Sequence, residues 1–196
     1  MRTWIGLGLL AAASSVTAAG PSFRCEAVRA GSIEAMICED EGLAGLDRQL
    51  AEVYKAAVAV AHNEQPPVLK AAQRGWIKGR NDCWKSDTPR GCVEEQYRYR
   101  IIELQARYRL VPHTGPVTYA CDGNPRNEVV ATYFRTEPDS LIAERGDSVS
   151  FMVRVRTASG ARYDGPNEWL WEHQGEATIV WGYEAPQMRC VKQEGA

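Results

Sequence analysis

The spacing of apolar residues changes once along the chain, and this change constrains the fold more than any other feature of the sequence. Before about residue 110, apolar side chains recur every three or four residues, as on one stripe of a helix. From residue 117 onward they alternate, as in strands with one buried face. Two prolines and a glycine within 111–116 separate the two periods and predict a linker. The sequence therefore predicts an α+β protein with a helical domain over 20–110 and a β-domain over 117–196.

Three helices are expected in the first domain. The first runs from about Asp40 to His62, where Pro66 and Pro67 end it and start the second. The second reaches about Cys83, and the third runs from about Cys92 to Tyr108. Because short connections make neighbouring helices antiparallel, we expect a small antiparallel bundle that disulfides help to stabilise.

The second domain has short alternating runs, each bounded by glycine, asparagine, aspartate or proline. Residues 166–181 have the pattern of a β-hairpin. In its first strand, Trp169 and Trp171 lie on one face, and Leu170 and Glu172 on the other. About eight strands in roughly 80 residues are typical of a small antiparallel β-barrel.

Residues 1–19 have the pattern of a signal peptide. Arg2 precedes an apolar run from Trp4 to Ala13, and small residues then predict cleavage after Ala18 or Ala19. The run is shorter than the roughly 20 residues that a membrane helix needs. No cysteine follows the small residues directly, so we expect no membrane anchor. The mature protein is expected in the periplasm or outside the cell.

An even number of cysteines in an exported chain predicts three disulfides, among Cys25, Cys38, Cys83, Cys92, Cys121 and Cys190. Cys121 and Cys190 lie in the first and last strands and would join the two ends of the barrel. In the helical domain the spacing leaves open a sequential pairing, Cys25 with Cys38 and Cys83 with Cys92, or a crossed one. The sequential pairing closes shorter loops and is favoured. No metal site is expected, because no C-x-x-C pair occurs and the three histidines lie far apart.

The acidity of the protein lies in its second half. Residues 112–196 contain 8 Lys and Arg against 12 Asp and Glu, a net charge of −4, whereas residues 20–111 contain 14 against 13, a net charge of +1. An acidic surface suits a cationic partner and argues against nucleic acid, which needs a basic patch. Solubility alone would also account for this surplus.

Two motifs lie in order between the cysteines of the second domain. The segment 159–163 reads Ser-Gly-Ala-Arg-Tyr, and Leu170-Trp171 is followed by Glu176-Ala177-Thr178. With Cys121 and Cys190, this combination resembles the MliC/PliC family of membrane-bound or periplasmic inhibitors of c-type lysozyme. The resemblance covers about residues 117–191 and implies a lysozyme as the protein partner.

The first domain resembles a second family, the LprI-type lysozyme-inhibitor domain. The resemblance covers about residues 21–108 and includes the motifs around Phe23-x-Cys25, Leu46-Asp47, Trp76-x-x-x-Arg80-Asn81 and Tyr97-x-x-Arg100-Ile101. Within it, Asp47, Trp76 and Arg80 are expected to form a buried polar and aromatic network.

The first resemblance implies a binding mode. In that family the serine of the Ser-Gly motif enters the lysozyme cleft and contacts the catalytic carboxyl groups, and this position is Ser159. Gly160 lets the backbone approach closely. The position of a cleft-binding lysine in the family falls on His173, and a protonated imidazole there could partly replace the lysine. The predicted lysozyme-binding residues are Ser159, Gly160, Arg162, Tyr163 and His173.

Simpler interpretations of the same residues stand beside this one. A Ser-Gly pair also occurs in ordinary turns, Tyr163 could pack inside the barrel, and the tryptophans of the hairpin could fill a core or form a platform for sugars. No nucleophile elbow, phosphate-binding loop or zinc-protease motif occurs, so neither an enzyme nor a cofactor is expected. The alternative function is binding of peptidoglycan, another glycan or a cell-envelope partner without catalysis.

Overall fold

The computed structural model describes residues 20–63 and 67–193 and shows helices followed by a closed β-barrel. The predicted signal peptide, its cleavage near Ala18 or Ala19, and Pro66 lie outside the described residues. No helix in this part of the chain has the length and apolar character that crossing a membrane requires.

The helical region contains one more helix than predicted. Its four α-helices are α1 (Ile33–Glu39), α2 (Glu41–Val60), α3 (Val68–Asn81) and α4 (Pro89–Arg107). Short 3₁₀ helices span Cys25–Ala27, Ala61–Asn63 and Asp82–Lys85. Helix α1 has only 7 residues, too few to show a clear period, and begins where the Ser32 hydroxyl accepts a hydrogen bond from the Ala35 amide. Asp40 caps α2 in the same way through the Leu43 amide.

The apolar stripes of the helices meet in one core. Leu43 and Leu50 of α2 pack with Val93, Tyr97 and Leu104 of α4, and all five side chains are buried. The disulfide Cys25–Cys38 ties the 3₁₀ segment to α1, and Cys83–Cys92 ties the end of the α3 region to α4. The sequential pairing is therefore confirmed.

A polar network lies inside this core, as the sequence predicted for Asp47, Trp76 and Arg80. The Tyr97 hydroxyl donates to Asp47 Oδ1 at 2.8 Å and accepts from Arg80 Nη1 at 2.7 Å. Burial raises the pKa of Tyr97, so its hydroxyl keeps the proton that it donates. Trp76 completes the cluster with an edge contact to Tyr97, at 5.3 Å between ring centroids, and a face contact to Arg80. One tyrosine thus links two buried charges that do not touch.

We expect Tyr97→Phe to lower the free energy of unfolding by about 1–3 kcal/mol, because a buried carboxylate and a buried guanidinium each lose a hydrogen bond. Urea unfolding followed by circular dichroism measures this change. Tyr99→Phe is the matched control on the same helix. The Tyr99 hydroxyl has no hydrogen-bond partner among residues 20–63 and 67–193, and the residue is 43% exposed. A cost no larger than that of the control would contradict the importance of this link.

The second region is a closed antiparallel barrel in which each strand pairs with its neighbours in sequence. The strands are β1 (His113–Cys121), β2 (Asn124–Phe134), β3 (Ser140–Arg145), β4 (Ser148–Val155), β5 (Ala161–Asp164), β6 (Glu168–His173), β7 (Glu176–Trp181) and β8 (Gln187–Lys192). Pairing of β1 with β8 closes the barrel and sets Cys121 opposite Cys190, where the predicted disulfide forms. The predicted barrel of about eight strands is confirmed.

The start of β1 differs from the sequence prediction. Residues 113–116 of the predicted 111–116 linker belong to the strand, because His113 and Thr114 pair with Phe134 and Tyr133 of β2. The register shifts between Thr114 and Val117, so the intervening Gly115 and Pro116 form an irregularity within the ladder. A glycine and a proline that indicated a linker are accommodated at this bulge.

The helical region packs against one wall of the barrel. Ile102 and Ala106 of α4 form a buried cluster with the outward-facing Phe134 of β2 and Phe151 of β4. The inner face of the barrel carries a separate core that includes Leu141, Met152, Leu170 and Ile179. Helix α4 thus covers the outer face of β2 to β4 and leaves the barrel ends to the loops.

Candidate functional site

The antiparallel order of the strands gathers the predicted binding residues at one end of the barrel. This end carries the β4–β5 loop (156–160), the β6–β7 turn (174–175) and the β2–β3 loop (135–139). Ser159 and Gly160 lie in the first of these, and His173 borders the second. Residues 14 positions apart in sequence, from Ser159 to His173, therefore share one end because β5 and β6 form a hairpin between them.

The Ser159 loop is exposed but held in place. The indole Nε1 of Trp171 donates to the Ser159 carbonyl oxygen at 3.0 Å, and the Thr157 hydroxyl donates to the Gly160 carbonyl at 3.3 Å. These bonds use the backbone of the loop, so the Ser159 hydroxyl is available at the surface. An exposed hydroxyl on a fixed backbone can both donate and accept a hydrogen bond.

Gly160 is required for this loop geometry. Its φ of +70° lies in the left-handed region, and a Cβ at this position would lie 2.1 Å from the Glu172 carbonyl oxygen and 2.9 Å from Trp171 Nε1. No side chain fits that space. The sequence prediction that Gly160 allows close backbone approach concerned a partner, whereas the close approach seen here is to strand β6 of the same chain.

His173 lies next to Trp171 on the outer face of β6. Its imidazole stacks on the Trp171 indole, with 5.1 Å between ring centroids and 9° between planes. Trp171 therefore contacts the loop through its Nε1 and His173 through its ring face. Sequence reasoning missed this role, although the two-residue spacing from Trp171 to His173 already placed them on one face.

The other two predicted residues, Arg162 and Tyr163, follow this loop on β5 and point to opposite faces of the barrel wall. Arg162 faces outward, with its guanidinium carbon 4.4 Å from the Trp169 ring centroid and its Nε donating to Asp164 Oδ1 at 2.7 Å. Tyr163 is only 6% exposed and faces the interior, where its ring makes an edge contact with Tyr133. The structure thus brings Ser159, Gly160 and His173 together, and places Arg162 on the outer wall and Tyr163 inside.

The hairpin tryptophans do not fill the core of the barrel. Leu170 and Glu172 face the interior, and Trp169 and Trp171 face outward and are half-buried. The two faces of β6 alternate as predicted. The face that lines the apolar interior is the one with Leu170, and the larger tryptophans lie on the outer face. The inward position of Glu172 is compensated by a hydrogen bond from the Tyr119 hydroxyl at 2.5 Å.

Metal binding has no structural support in the described part of the chain. None of its His, Cys, Asp and Glu side chains form a group of three or more that could hold an ion. All six cysteines form disulfides.

Two family models match the chain, and the boundary between the two matches falls between the helical region and the barrel. Residues 25–111 match the family model described as lysozyme inhibitor LprI, and residues 119–188 match the model described as membrane-bound lysozyme-inhibitor of c-type lysozyme, MliC. The proteins named lipoprotein LprI from Mycobacterium bovis and Mycobacterium tuberculosis are 29% identical to the chain over 187 residues, which cover 90% of this chain and 93% of theirs. No solved structure matches the chain significantly. The chain therefore combines, in this order, a helical region that resembles the LprI family and a β-barrel that resembles the MliC family, both described as lysozyme inhibitors.

Proposed function

We propose that this protein inhibits c-type lysozyme, and that the barrel end with the Ser159 loop enters the active-site cleft of the enzyme. The observation that carries the proposal is the anchoring of the loop by Trp171, which leaves the Ser159 hydroxyl exposed on a fixed backbone. Two matches to families of lysozyme inhibitors support it. Three disulfides suit an oxidising compartment, in agreement with the periplasm or the cell exterior.

The chemistry of lysozyme explains why a serine suffices. The enzyme uses a protonated glutamic acid and an ionised aspartate on either side of the scissile bond. A serine hydroxyl accepts a hydrogen bond from the acid and donates one to the carboxylate, so one small group satisfies both. Ser159 would thereby occupy the place of the glycosidic oxygen and exclude the substrate.

His173 would supply a second contact near the same carboxyl groups. Its imidazole is fixed by stacking on Trp171, which restricts the rotation that a lysine at this position would keep. A fixed ring loses less conformational entropy when it binds. A protonated imidazole would be attracted by the ionised aspartate of the cleft.

Ser159→Ala should weaken inhibition by about 1–3 kcal/mol, or about 5- to 150-fold in the inhibition constant, because the two lysozyme carboxyl groups lose their shared partner. Lysis of bacterial cell walls by a c-type lysozyme, with increasing amounts of each variant, measures this loss. Ser148→Ala is the control, because Ser148 is an exposed serine at the opposite end of the barrel. Equal inhibition by the two variants would exclude Ser159 from the cleft.

The alternative function, glycan binding on exposed tryptophans, gains less support from the geometry. Arg162 covers one face of the Trp169 ring, and His173 covers one face of the Trp171 ring. Sugar stacking needs an open aromatic face, and these contacts reduce the area available for it.

A further inference from the structure

A polar, partly open cavity of about 760 Å³ lies at the end of the barrel that carries the Ser159 loop. Its lining includes three tyrosines from three strands, Tyr119, Tyr133 and Tyr163, together with the carboxylate of Glu172. This volume is within the range of cavities that hold small ligands, roughly 300–1,000 Å³.

The tyrosines and Glu172 form an ordered chain of hydrogen bonds. Tyr119 donates to Glu172, and the Tyr133 hydroxyl lies 2.9 Å from that of Tyr119, so it donates to the Tyr119 oxygen. Burial raises the pKa of both hydroxyls, and the nearby Glu172 carboxylate adds to the effect, so both stay protonated. Tyr133 and Glu172 are partly exposed at the cavity, whereas Tyr119 and Tyr163 are only 2% and 6% exposed. Sugars bind to such groups through hydroxyls and C–H faces.

Two cations stand at the exposed part of the same cavity. Arg135 follows the end of β2, and Lys192 ends β8 opposite Tyr119. Neither forms an ion pair with another residue of the described ranges, whereas Asp139, the other acidic lining residue, is paired with Arg154 at 3.0 Å. The exposed part thus has a surplus of positive charge, and the inner part accepts and donates hydrogen bonds.

We infer that this cavity binds a carboxylate-bearing sugar of one or two rings. The carboxylate would pair with Arg135 or with Lys192, which lie at different points of the exposed part of the cavity. The ring hydroxyls would bond to Glu172 and to the Tyr133 hydroxyl. This site differs from the Ser159 loop and does not depend on lysozyme inhibition.

The test uses two probes that differ by one acidic group, N-acetylmuramic acid and N-acetylglucosamine. Each is titrated into the ¹⁵N-labelled full chain, and amide shifts in two-dimensional NMR spectra give the site and the affinity. N-acetylmuramic acid should shift the amides of Tyr119, Tyr133 and Glu172, and bind about tenfold or more tightly than N-acetylglucosamine, the ratio expected for a charge-assisted contact.

An Arg135→Gln, Lys192→Gln double variant should bind the two sugars equally, because both side chains are exposed and their loss leaves the fold intact. The matched control is Arg189→Gln, since Arg189 lies on the same strand but alternates with the inward-facing Cys190. This control should keep the preference for the acid. The inference is overturned if the wild-type chain shows no shifts at the cavity, binds both sugars equally, or keeps its preference in the double variant.

Discussion

Gly160→Ala is expected to reduce lysozyme inhibition more than removal of the Ser159 hydroxyl itself. The added Cβ would lie 2.1 Å from the Glu172 carbonyl oxygen, so the loop must leave its place on β6 and lose the Trp171 bond. A left-handed alanine costs about 1–2 kcal/mol, and overpacking about 1–3 kcal/mol more. The sum, about 2–5 kcal/mol, corresponds to a loss of about 30- to 4,000-fold in the inhibition constant.

Gly146→Ala separates backbone strain from the steric clash. Gly146 also has a left-handed φ, +56°, but a Cβ there meets no atom within 4 Å, and it lies in the β3–β4 turn at the other barrel end. The control should retain full inhibition at a small cost in stability. Full inhibition by Gly160→Ala, with its fold verified by circular dichroism, would show that the seating of the loop on β6 does not matter for inhibition.

Loss of the Cys121–Cys190 disulfide is expected to have the largest effect on stability. The two residues are 69 positions apart, and closing a loop of that length restricts the unfolded chain by about 4.4 kcal/mol in the loop-entropy description. A double alanine variant should lose at least that amount, because both side chains are also buried. Denaturant unfolding of the β-barrel signal in circular dichroism measures the loss.

The Cys83–Cys92 pair provides the comparison. Its separation is 9 residues, for which the same description gives about 2.7 kcal/mol. The double alanine variant of this pair should therefore destabilise the protein less than that of the barrel pair. The reverse order would mean that the native contacts of each disulfide, rather than the loop it closes, determine its contribution.

Features with a local or periodic signal were predictable from the sequence. The helical period predicted three of the four α-helices. Short loops favoured the two disulfide pairs of the helical region, and the positions of Cys121 and Cys190 in the first and last strands predicted the third. Helix α1 was missed because a single cap at Ser32 and 7 residues provide too little periodicity. Gly115 and Pro116 led to the prediction of a linker because both residue types are common in loops. They also occur at bulges within strands, and this is where the structure places them.

The parts of the site that depend on distant pairing were not predictable. The hydrogen bond between Tyr119 and Glu172 joins residues 53 positions apart, on strands β1 and β6, which lie on different sides of the barrel. No spacing in the sequence signals that contact. Trp171 was predictable only in part. The alternation of the strand predicted that it shares a face with Trp169, but its hydrogen bond to Ser159 depends on where the β4–β5 loop lies in the fold.

Closure of the barrel by β1 and β8 also restricts how this protein can recognise another. A sheet with a free edge can bind a partner by adding the partner's strand to its own, and can aggregate by the same route. Here each strand has a neighbour on both sides, although β1 meets β8 only at 119–121 and β4 meets β5 only at 153–155. Free strand edge is therefore limited to short stretches, and recognition relies mainly on side chains and on the loops at the barrel ends. These loops can change in sequence without altering the pairing that holds the barrel closed.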